Sequence, residues 1–290
     1  MSTVGEASSA ALAERTEAGT LADDRARAER AAAERRRRMQ LHNLVIRLVS
    51  LAIALSLWQM VGASIDPVLF TTPTKVAVAA VDMVFSGELW TYLWPSLIVL
   101  VIGLVLAIVL GTAIGLLLAR YHILDVGLTV YITFLYSIPS VALVPLIVLW
   151  AGYETTAKVT ILFMFAFFPM VINTYQGVKT VDPKLLEVGR AFRCSERQLW
   201  TNIVLPAALP FIVTGIRLAV GRGMIGMVLA DLYTAISGIG YLIVRTASTF
   251  QVDKMFVPIV TLGLLGVTLT ALLRMAEKKV APWTAADQKD

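Results

Sequence analysis

The most chemically distinctive residues stand in one polar interval, residues 176–206, between two long apolar stretches. Its charged side chains are Lys179, Asp182, Lys184, Glu187, Arg190, Arg193, Glu196 and Arg197. Apolar residues recur between them at helical spacing, in one set of Leu185, Leu186, Val188 and Phe192 and a second of Leu199 and Trp200. Ser195 is a favourable helix N-cap. The pattern predicts two short amphipathic helices that meet near residues 193–195 and suit docking into a partner's groove.

Three further charged residues lie inside or at the end of an apolar stretch. Such charges are costly in a bilayer and usually face water or the bundle interior. Arg222 lies about 16 residues beyond Pro206, or roughly 24 Å along a helix, so we expect it to face a solute pathway and favour an anion. An interhelical salt bridge or a contact with a second copy of the chain is the alternative.

The other two charges have simpler explanations available. Arg217 is a second pathway candidate, but it is close enough to Pro206 to reach the headgroups with its long side chain. Asp231 is a third candidate, for which we expect a structural role and a pair with Arg245 across a loop. His42 and His122 stand singly, without ligand partners at helical spacing, so no metal site is predicted.

Common catalytic arrangements are missing from the sequence. It contains no Gly-x-x-x-x-Gly-Lys-Ser/Thr motif for ATP phosphates. The apolar stretches carry no serine and histidine set and no paired aspartates of an intramembrane hydrolase. Cys194 is the single cysteine, so an internal disulfide or cysteine-based metal cluster is excluded. We therefore expect no enzymatic activity and no cofactor bound by this chain.

Composition places the chain in a membrane. Of its 290 residues 58% are hydrophobic, against about 45–50% in soluble domains. Each helical crossing needs about 20 apolar residues. Six stretches qualify: residues 44–63, 96–119, 126–150, 156–175, 208–230 and 256–275. We expect an all-α fold of six transmembrane helices over residues 41–280.

Basic residues set the predicted orientation. The run Arg35 to Arg38, the 176–206 interval and the pair Lys278 and Lys279 all fall on one side if there are six crossings, and basic loops stay cytoplasmic. Both termini are then cytoplasmic, with charged tails at residues 1–40, which we expect to be disordered, and at residues 281–290. The first forty residues contain no apolar signal-peptide core. The net charge of +5 is explained by topology, so nucleic acid binding is not expected.

Proline and glycine predict local features of the crossings. Pro139 and Pro145 lie inside the third crossing, where each removes a backbone hydrogen bond, so this helix should be bent. Gly103, Gly111 and Gly115 in the second crossing would allow close helix approach. Residues 74–85 predict a short helix at the membrane interface.

The polar interval resembles the coupling loop of the inner-membrane permeases of ABC importers. That loop has a Glu-Ala-Ala, then a Gly, then an Ile-x-Leu-Pro before the penultimate helix. The matching residues here are Glu187, Val188 and Gly189, with Ala191 and Ser195 inside the loop, and Ile203, Leu205 and Pro206 at its close. Arg193 stands where the family has glycine. A left-handed backbone there would cost a non-glycine residue on the order of 1 kcal/mol.

Further matches resemble the nitrate, sulfonate and taurine branch of this family. They are Pro73-Thr-Lys-Val, the segment from Pro139 to Pro145, Trp150-Ala-Gly152, Gly215-Ile-Arg217-Leu-Ala and Ser237-Gly-Ile-Gly240-Tyr. In the branch the position of Asp231 usually carries glutamate.

The resemblance implies a type I importer permease bundle in the plasma membrane. Residues 184–206 would couple it to a cytoplasmic ABC ATPase dimer, which holds the ATP and Mg²⁺. The permease would pair as a homodimer beneath an extracytoplasmic solute-binding protein, and sulfonate, nitrate or taurine are the expected solutes. The rival hypothesis from the residues is an ion-coupled secondary transporter. Such proteins usually show inverted repeats and mid-membrane acidic groups, which are not visible in this sequence.

Overall fold

A computed structural model describes residues 35 and 38–280, the last three by backbone alone. The two charged tails predicted at residues 1–40 and 281–290 lie almost entirely outside these residues. The described chain is helical, with eleven α-helices: α1 Arg38–Ser64, α2 Pro73–Phe85, α3 Glu88–Arg120, α4 His122–Ser137, α5 Ser140–Ala151, α6 Thr155–Lys179, α7 Pro183–Ala191, α8 Glu196–Leu199, α9 Leu205–Thr234, α10 Ile239–Ser248 and α11 Val252–Val280.

The chain divides into two compact units after Ser64. In the first unit, α1 has 27 residues, long enough to cross a bilayer. All other helices belong to the second unit. There α3, α6, the continuous helix Glu196–Thr234 and α11 are also long and apolar enough to cross.

The sixth candidate crossing is broken. Helices α4 and α5 meet at an angle of 96° and pass the length and composition test only as a pair. The break falls at Pro139, and the preceding Ile138 is extended, as proline requires of its neighbour. Pro145 lies within α5, which continues across it. The prediction of an all-helical fold with up to six crossings is confirmed for the described residues.

The core forms where α6 packs against α3 and α9. Three glycines of α3 face α6 so closely that a Cβ would overlap its side chains: Gly103 meets Leu162, Gly111 meets Met170 and Gly115 meets Thr174. Gly226 of α9 lies against Leu162 and Phe165 from the other side. Dispersion contacts of this kind drive helix association in lipid, where apolar burial alone gives no preference.

One helix was not expected from the sequence. The loop predicted for residues 231–255 contains α10, whose Ile239, Gly240, Leu242 and Thr246 are buried. The helix has only ten residues, too few to be stable alone. It forms because its buried face packs on the longer helices, a tertiary effect that a local pattern does not report.

Replacing Gly111 with leucine should loosen the α3–α6 contact. Overpacking of this kind costs about 1–3 kcal/mol, so we expect a lower midpoint of thermal unfolding for the purified protein. Gly263→Leu on α11 is the matched control, because no atom lies within 4 Å of the position that its Cβ would take. Equal midpoints for the two variants would contradict the packing described here.

Candidate functional site

The predicted docking interval is a helical hairpin formed by α7 and α8. Asp182 caps α7 by accepting a hydrogen bond from the Lys184 N–H at 2.9 Å, and Pro183 occupies the first turn. Ser195 caps α8 in a capping box: its Oγ accepts from the Gln198 N–H at 3.3 Å, and its own N–H donates to Gln198 Oε1 at 2.8 Å. The predicted N-cap role of Ser195 is confirmed.

The turn between the two helices is left-handed at Arg193, with φ of 54°. The Arg193 N–H donates to the Arg190 carbonyl at 2.9 Å and the Cys194 N–H donates to the Gly189 carbonyl at 3.0 Å. These two bonds define a Schellman motif, whose left-handed residue is usually glycine. Arg193 therefore has a left-handed backbone at the position where the resembled motif has glycine, the residue that this conformation favours.

Gly189 sets the spacing within the hairpin. It is buried, and a Cβ there would overlap the side chains of Leu199 and Ile203. The absence of a side chain lets α7 lie directly on α8 and the following turn. This contact explains why the middle of the motif needs a small residue.

A row of apolar side chains is exposed on α7. Leu185, Val188 and Phe192 are all solvent-accessible, and Phe192 is 80% exposed. Glu187, Ala191 and Arg193 are exposed beside them. We call Leu185, Val188 and Phe192 the apolar row of α7.

The second helix of the hairpin continues into a membrane span. The chain is helical without interruption from Glu196 to Thr234, over 39 residues. The sequence pattern predicts the start of this span at residue 208, after a separate loop, and the structure has no such separation. The hairpin and the span therefore share one helix.

A π-helical turn, Trp200–Val204, joins α8 to α9. Its wide ring is closed by the Leu205 N–H, which donates to the Trp200 carbonyl. Pro206 follows, has no N–H, and would crowd the carbonyl four residues before it in a regular α-helix. The wider turn accommodates the proline without breaking the helix. Ile203, Leu205 and Pro206 thus form the joint between the hairpin and the span.

Side chains of two other spans contact this end of the bundle. The Arg120 guanidinium, at the end of α3, lies 4.9 Å from the centre of the Trp200 ring. Asp125 at the start of α4 pairs with Lys179 at 2.7 Å and accepts from the Tyr175 hydroxyl at 2.6 Å, both on α6. The hairpin is therefore attached to a connected set of helix ends.

The two arginines of α9 have different surroundings. Arg217 Nη2 donates to both carboxylate oxygens of Glu277 of α11, at 2.8 and 2.7 Å. Arg222 is exposed and its guanidinium lies 5.7 Å from the centre of the Tyr136 ring of α4. Tyr136 also lines a cavity of about 350 Å³ between α4 and α6. The structure thus places Arg222 near Tyr136, a residue that lines this cavity, and Arg217 in an interhelical salt bridge.

The expected pair between Asp231 and Arg245 is wrong. Asp231 is fully buried and pairs with Lys158 of α6 at 2.8 Å. Arg245 contacts Glu88 and the Tyr92 hydroxyl instead, at 3.4 and 2.5 Å. Lys158 was missed by the sequence analysis. Its signal was a lone lysine inside the fourth apolar stretch, which should have required a buried carboxylate.

The described residues contain no group of three or more histidine, cysteine, aspartate or glutamate side chains that could hold a metal ion. The polar side chains named above form ion pairs, hydrogen bonds and helix caps. The geometry suits mechanical coupling between helices.

Comparison with known proteins identifies the family. Residues 111–282 match the family described as the binding-protein-dependent transport system inner membrane component. The chain belongs to this family. It is a multi-pass permease subunit of the plasma membrane, is not an enzyme, and works with a separate ATPase and a solute-binding protein. Membership in this family rules out the alternative hypothesis of an ion-coupled secondary transporter.

Relatives of this permease differ in their named solutes. A Bacillus subtilis protein assigned to aliphatic sulfonates transport is 32% identical, over 92% of this chain and 96% of its own length. A formylaminopyrimidine transport permease of Halalkalibacterium halodurans is 31% identical, over 78% and 91%. The Escherichia coli taurine transport system permease is 25% identical, over 81% and 88%.

A solved structure supports the fold. An amino acid ABC transporter crystallised with histidines has a chain similar to this permease, with a TM-score of 0.53 and 17% identity. The match covers 69% of this chain and 98% of that one. The helical bundle is therefore of the kind found in ABC transporters.

Replacing Arg193 with glycine should stabilise the hairpin. The left-handed backbone costs arginine roughly 1–2 kcal/mol, and glycine loses about 0.5–1 kcal/mol to its greater freedom when unfolded. A net gain of up to about 1.5 kcal/mol would slow amide exchange in α7 and α8 by up to about tenfold. Arg197→Gly, inside α8, is the opposite-sign control and should speed exchange. Faster exchange in Arg193→Gly would contradict the assigned turn.

Proposed function

We propose that this permease moves a small organic anion through a homodimeric pathway. The α7–α8 hairpin is the binding site for the ATPase. The observation on which this depends is the apolar row of α7. Three large apolar side chains project from a charged helix at the end of the bundle where four helix ends meet. Exposed apolar residues at helical spacing, flanked by charges, are typical of a helix that enters a partner's groove.

A protein groove accounts for this face better than lipid or water does. Lipid would require Glu187, Arg190 and Arg193 to be desolvated beside the apolar row. Water would leave the three apolar side chains without a partner. A groove with an apolar floor and polar rim satisfies both sets of residues, and the basic rim favours an acidic partner edge.

Force would reach the membrane through the continuous helix. A rigid-body shift of the ATPase against α7 would press Gly189 on Leu199 and Ile203. Because α8 continues into α9, the shift would move the whole span, including Arg222. Such rigid-body coupling is a common form of conformational switching.

Arg222 supports an anionic solute. Its cation lies deep along α9 and is exposed in the single chain, next to Tyr136. An isolated cation at this depth is costly unless it faces a wet cavity. Among the relatives, solutes differ at similar identity, so the anion preference is drawn from Arg222 together with the sulfonate and taurine permeases. Aliphatic sulfonates are the leading solute class.

A second copy of the chain would complete the pathway. Helix α4 buries none of its residues within the described chain, although it carries Tyr131, Phe134 and Tyr136. A symmetric partner packed along α4 and α5 would cover these rings and enclose Arg222 from the other side. Two ATPases would then lie at the hairpin end, and the solute-binding protein at the other.

Phe192→Ser should weaken ATPase binding. Loss of one central apolar anchor typically costs about 1–4 kcal/mol of binding energy, so copurification of the ATPase should fall at least about fivefold. Glu187→Ala, or a bulky polar residue at Ala191, should also reduce assembly or uncouple hydrolysis from uptake. The measurement is the amount of ATPase retained by tagged permease, with solute uptake alongside.

Phe85→Ser is the matched control for Phe192→Ser. Phe85 ends α2, is 86% exposed, and lies beside the start of α3, far from the hairpin. Its loss should leave ATPase retention unchanged. The docking proposal fails if Phe192→Ser retains the ATPase as well as Phe85→Ser does.

Arg222→Gln should reduce uptake of a short alkanesulfonate in vesicles that contain the complete transporter. Removing the cation raises the cost of bringing the sulfonate into the pathway, and we expect at least a tenfold lower rate. Arg274→Gln on α11 is the control, since Arg274 is also an exposed arginine of a span. Unchanged uptake by Arg222→Gln would place this residue outside the pathway.

A further inference from the structure

A buried polar cluster lies at the end of the bundle away from the hairpin. Its residue on α3 is Ser96, which is roughly 36 Å along the helix from Arg120. Lys158 and Asp231 form its centre, with side chains 4% and 0% exposed. The Ser96 hydroxyl of α3 donates to Asp231 Oδ2 at 2.5 Å. The cluster therefore joins three spans, α3, α6 and α9.

The remaining partners of this cluster belong to the start of α10 and the turn before it. Lys158 Nζ donates to the Ser237 carbonyl at 2.6 Å and to its hydroxyl at 3.0 Å. The Ile239 N–H donates to Ser96 Oγ at 2.8 Å, and the Gly240 N–H donates to Asp231 Oδ2 at 3.4 Å. The charged pair thus holds the beginning of α10 against the spans.

Left-handed residues bracket α10. Ala235 and Phe250 have φ of 48° and 57°, and Gly238 has φ of 99°. Only one other non-glycine residue in the described chain, Arg193, has a positive φ. Local backbone hydrogen bonds close the turns at Ala235 and Phe250, from the Ala235 N–H to the Asp231 carbonyl and from the Phe250 N–H to the Ala247 carbonyl. Gly238, next to the buried pair, is the positive-φ residue that the cluster itself holds.

The bonds that hold α10 are unequal. At its far end Arg245 contacts Glu88 and Tyr92 in an exposed position, where ion pairs contribute little. The near end depends on the buried pair. A buried pair brings a large desolvation cost, and apolar residues of similar volume often stabilise a fold equally well. Loss of either partner would leave the other charge buried and unpaired, which strongly destabilises this contact.

We infer that Lys158 and Asp231 form a latch that keeps α10 packed on the ends of α3, α6 and α9, and that α10 leaves this position during each transport cycle. Both are positioning residues, which act on α10 and not on the solute. The inference depends on ATP-driven transport by this family. It does not depend on the docking face or on the identity of the solute.

Gly238→Ala tests the latch without altering its charges. A Cβ at Gly238 would overlap the Asp231 carboxylate, so the turn before α10 must move. Gly152→Ala is the matched control: Gly152 also has a positive φ, 79°, but no atom lies within 4 Å of the added carbon. Lys158→Met and Asp231→Asn remove one charge each and should act in the same direction as Gly238→Ala.

The reporter is Thr246→Cys, a buried position on α10. N-ethylmaleimide labelling at position 246 is followed by peptide mass spectrometry, with native Cys194 at the other end of the bundle as the internal reference. We expect Gly238→Ala to label at least fivefold faster at position 246 than the parent or Gly152→Ala does. We also expect basal ATP hydrolysis by the assembled transporter, measured without solute, to rise at least threefold. The reason is that release of α10 would favour the conformation that the transporter normally reaches only when solute is delivered.

Labelling at the parent rate in Gly238→Ala would overturn the latch. Faster labelling with unchanged hydrolysis would overturn it too, since α10 would then be a static cover. If Gly238→Ala does not accumulate, Ser237→Ala takes its place, because it removes one hydrogen bond from Lys158. Labelling at position 246 and basal ATP hydrolysis are then measured and interpreted in the same way. A wrong docking face would leave these ratios unaffected and change only the ATPase retention of the Phe192 variant, so the two proposals fail separately.

Discussion

The fold depends on how closely α6 can approach α3 and α9. In lipid, dispersion contacts and polar pairs must replace the hydrophobic driving force that assembles soluble cores. Gly103, Gly111 and Gly115 remove the side chains that would separate α3 from α6, and Lys158 adds a buried charge pair to α9 at one end of the same helix. The three helices therefore form the rigid centre against which the peripheral elements are placed.

From this centre, α9 connects both ends of the bundle. Its start is continuous with α8 through the π-helical turn that Pro206 requires, and its end carries Asp231. Because α9 packs against α6 along its middle, it should resist bending. The proposed coupling requires this property, since a displacement of α8 would then move α9 as a rigid body. Arg217, paired with Glu277, joins α11 to the same helix. Helix α9 therefore contacts both the hairpin, through α8, and the start of α10, through Asp231.

Local patterns predicted much of this arrangement and none of its long-range pairs. Apolar runs of about 20 residues define membrane helices, and the Ser195 cap is a property of adjacent residues, so both could be predicted. The partner of Asp231 could not, because Lys158 is 73 residues away in sequence and either of two basic residues would satisfy the same charge rule. Likewise α10 is stabilised by distant contacts, and Pro139 indicates a bend but not its angle of 96°.

The two ends of the bundle use the same local device with different residues. At each end a short helix lies against a span and is oriented by a left-handed turn, at Arg193 for α7 and at Ala235, Gly238 and Phe250 for α10. At Arg193 the turn closes a complete Schellman motif, so its strain is compensated by backbone hydrogen bonds within the hairpin. At the end of α10 a second Schellman motif closes the turn, because the Phe250 N–H donates to the Ala247 carbonyl and the Gln251 N–H donates to the Thr246 carbonyl. The start of α10 is instead held by a charge pair on other helices. The hairpin is therefore held by bonds within itself, whereas the start of α10 keeps its position only while α6 and α9 keep theirs.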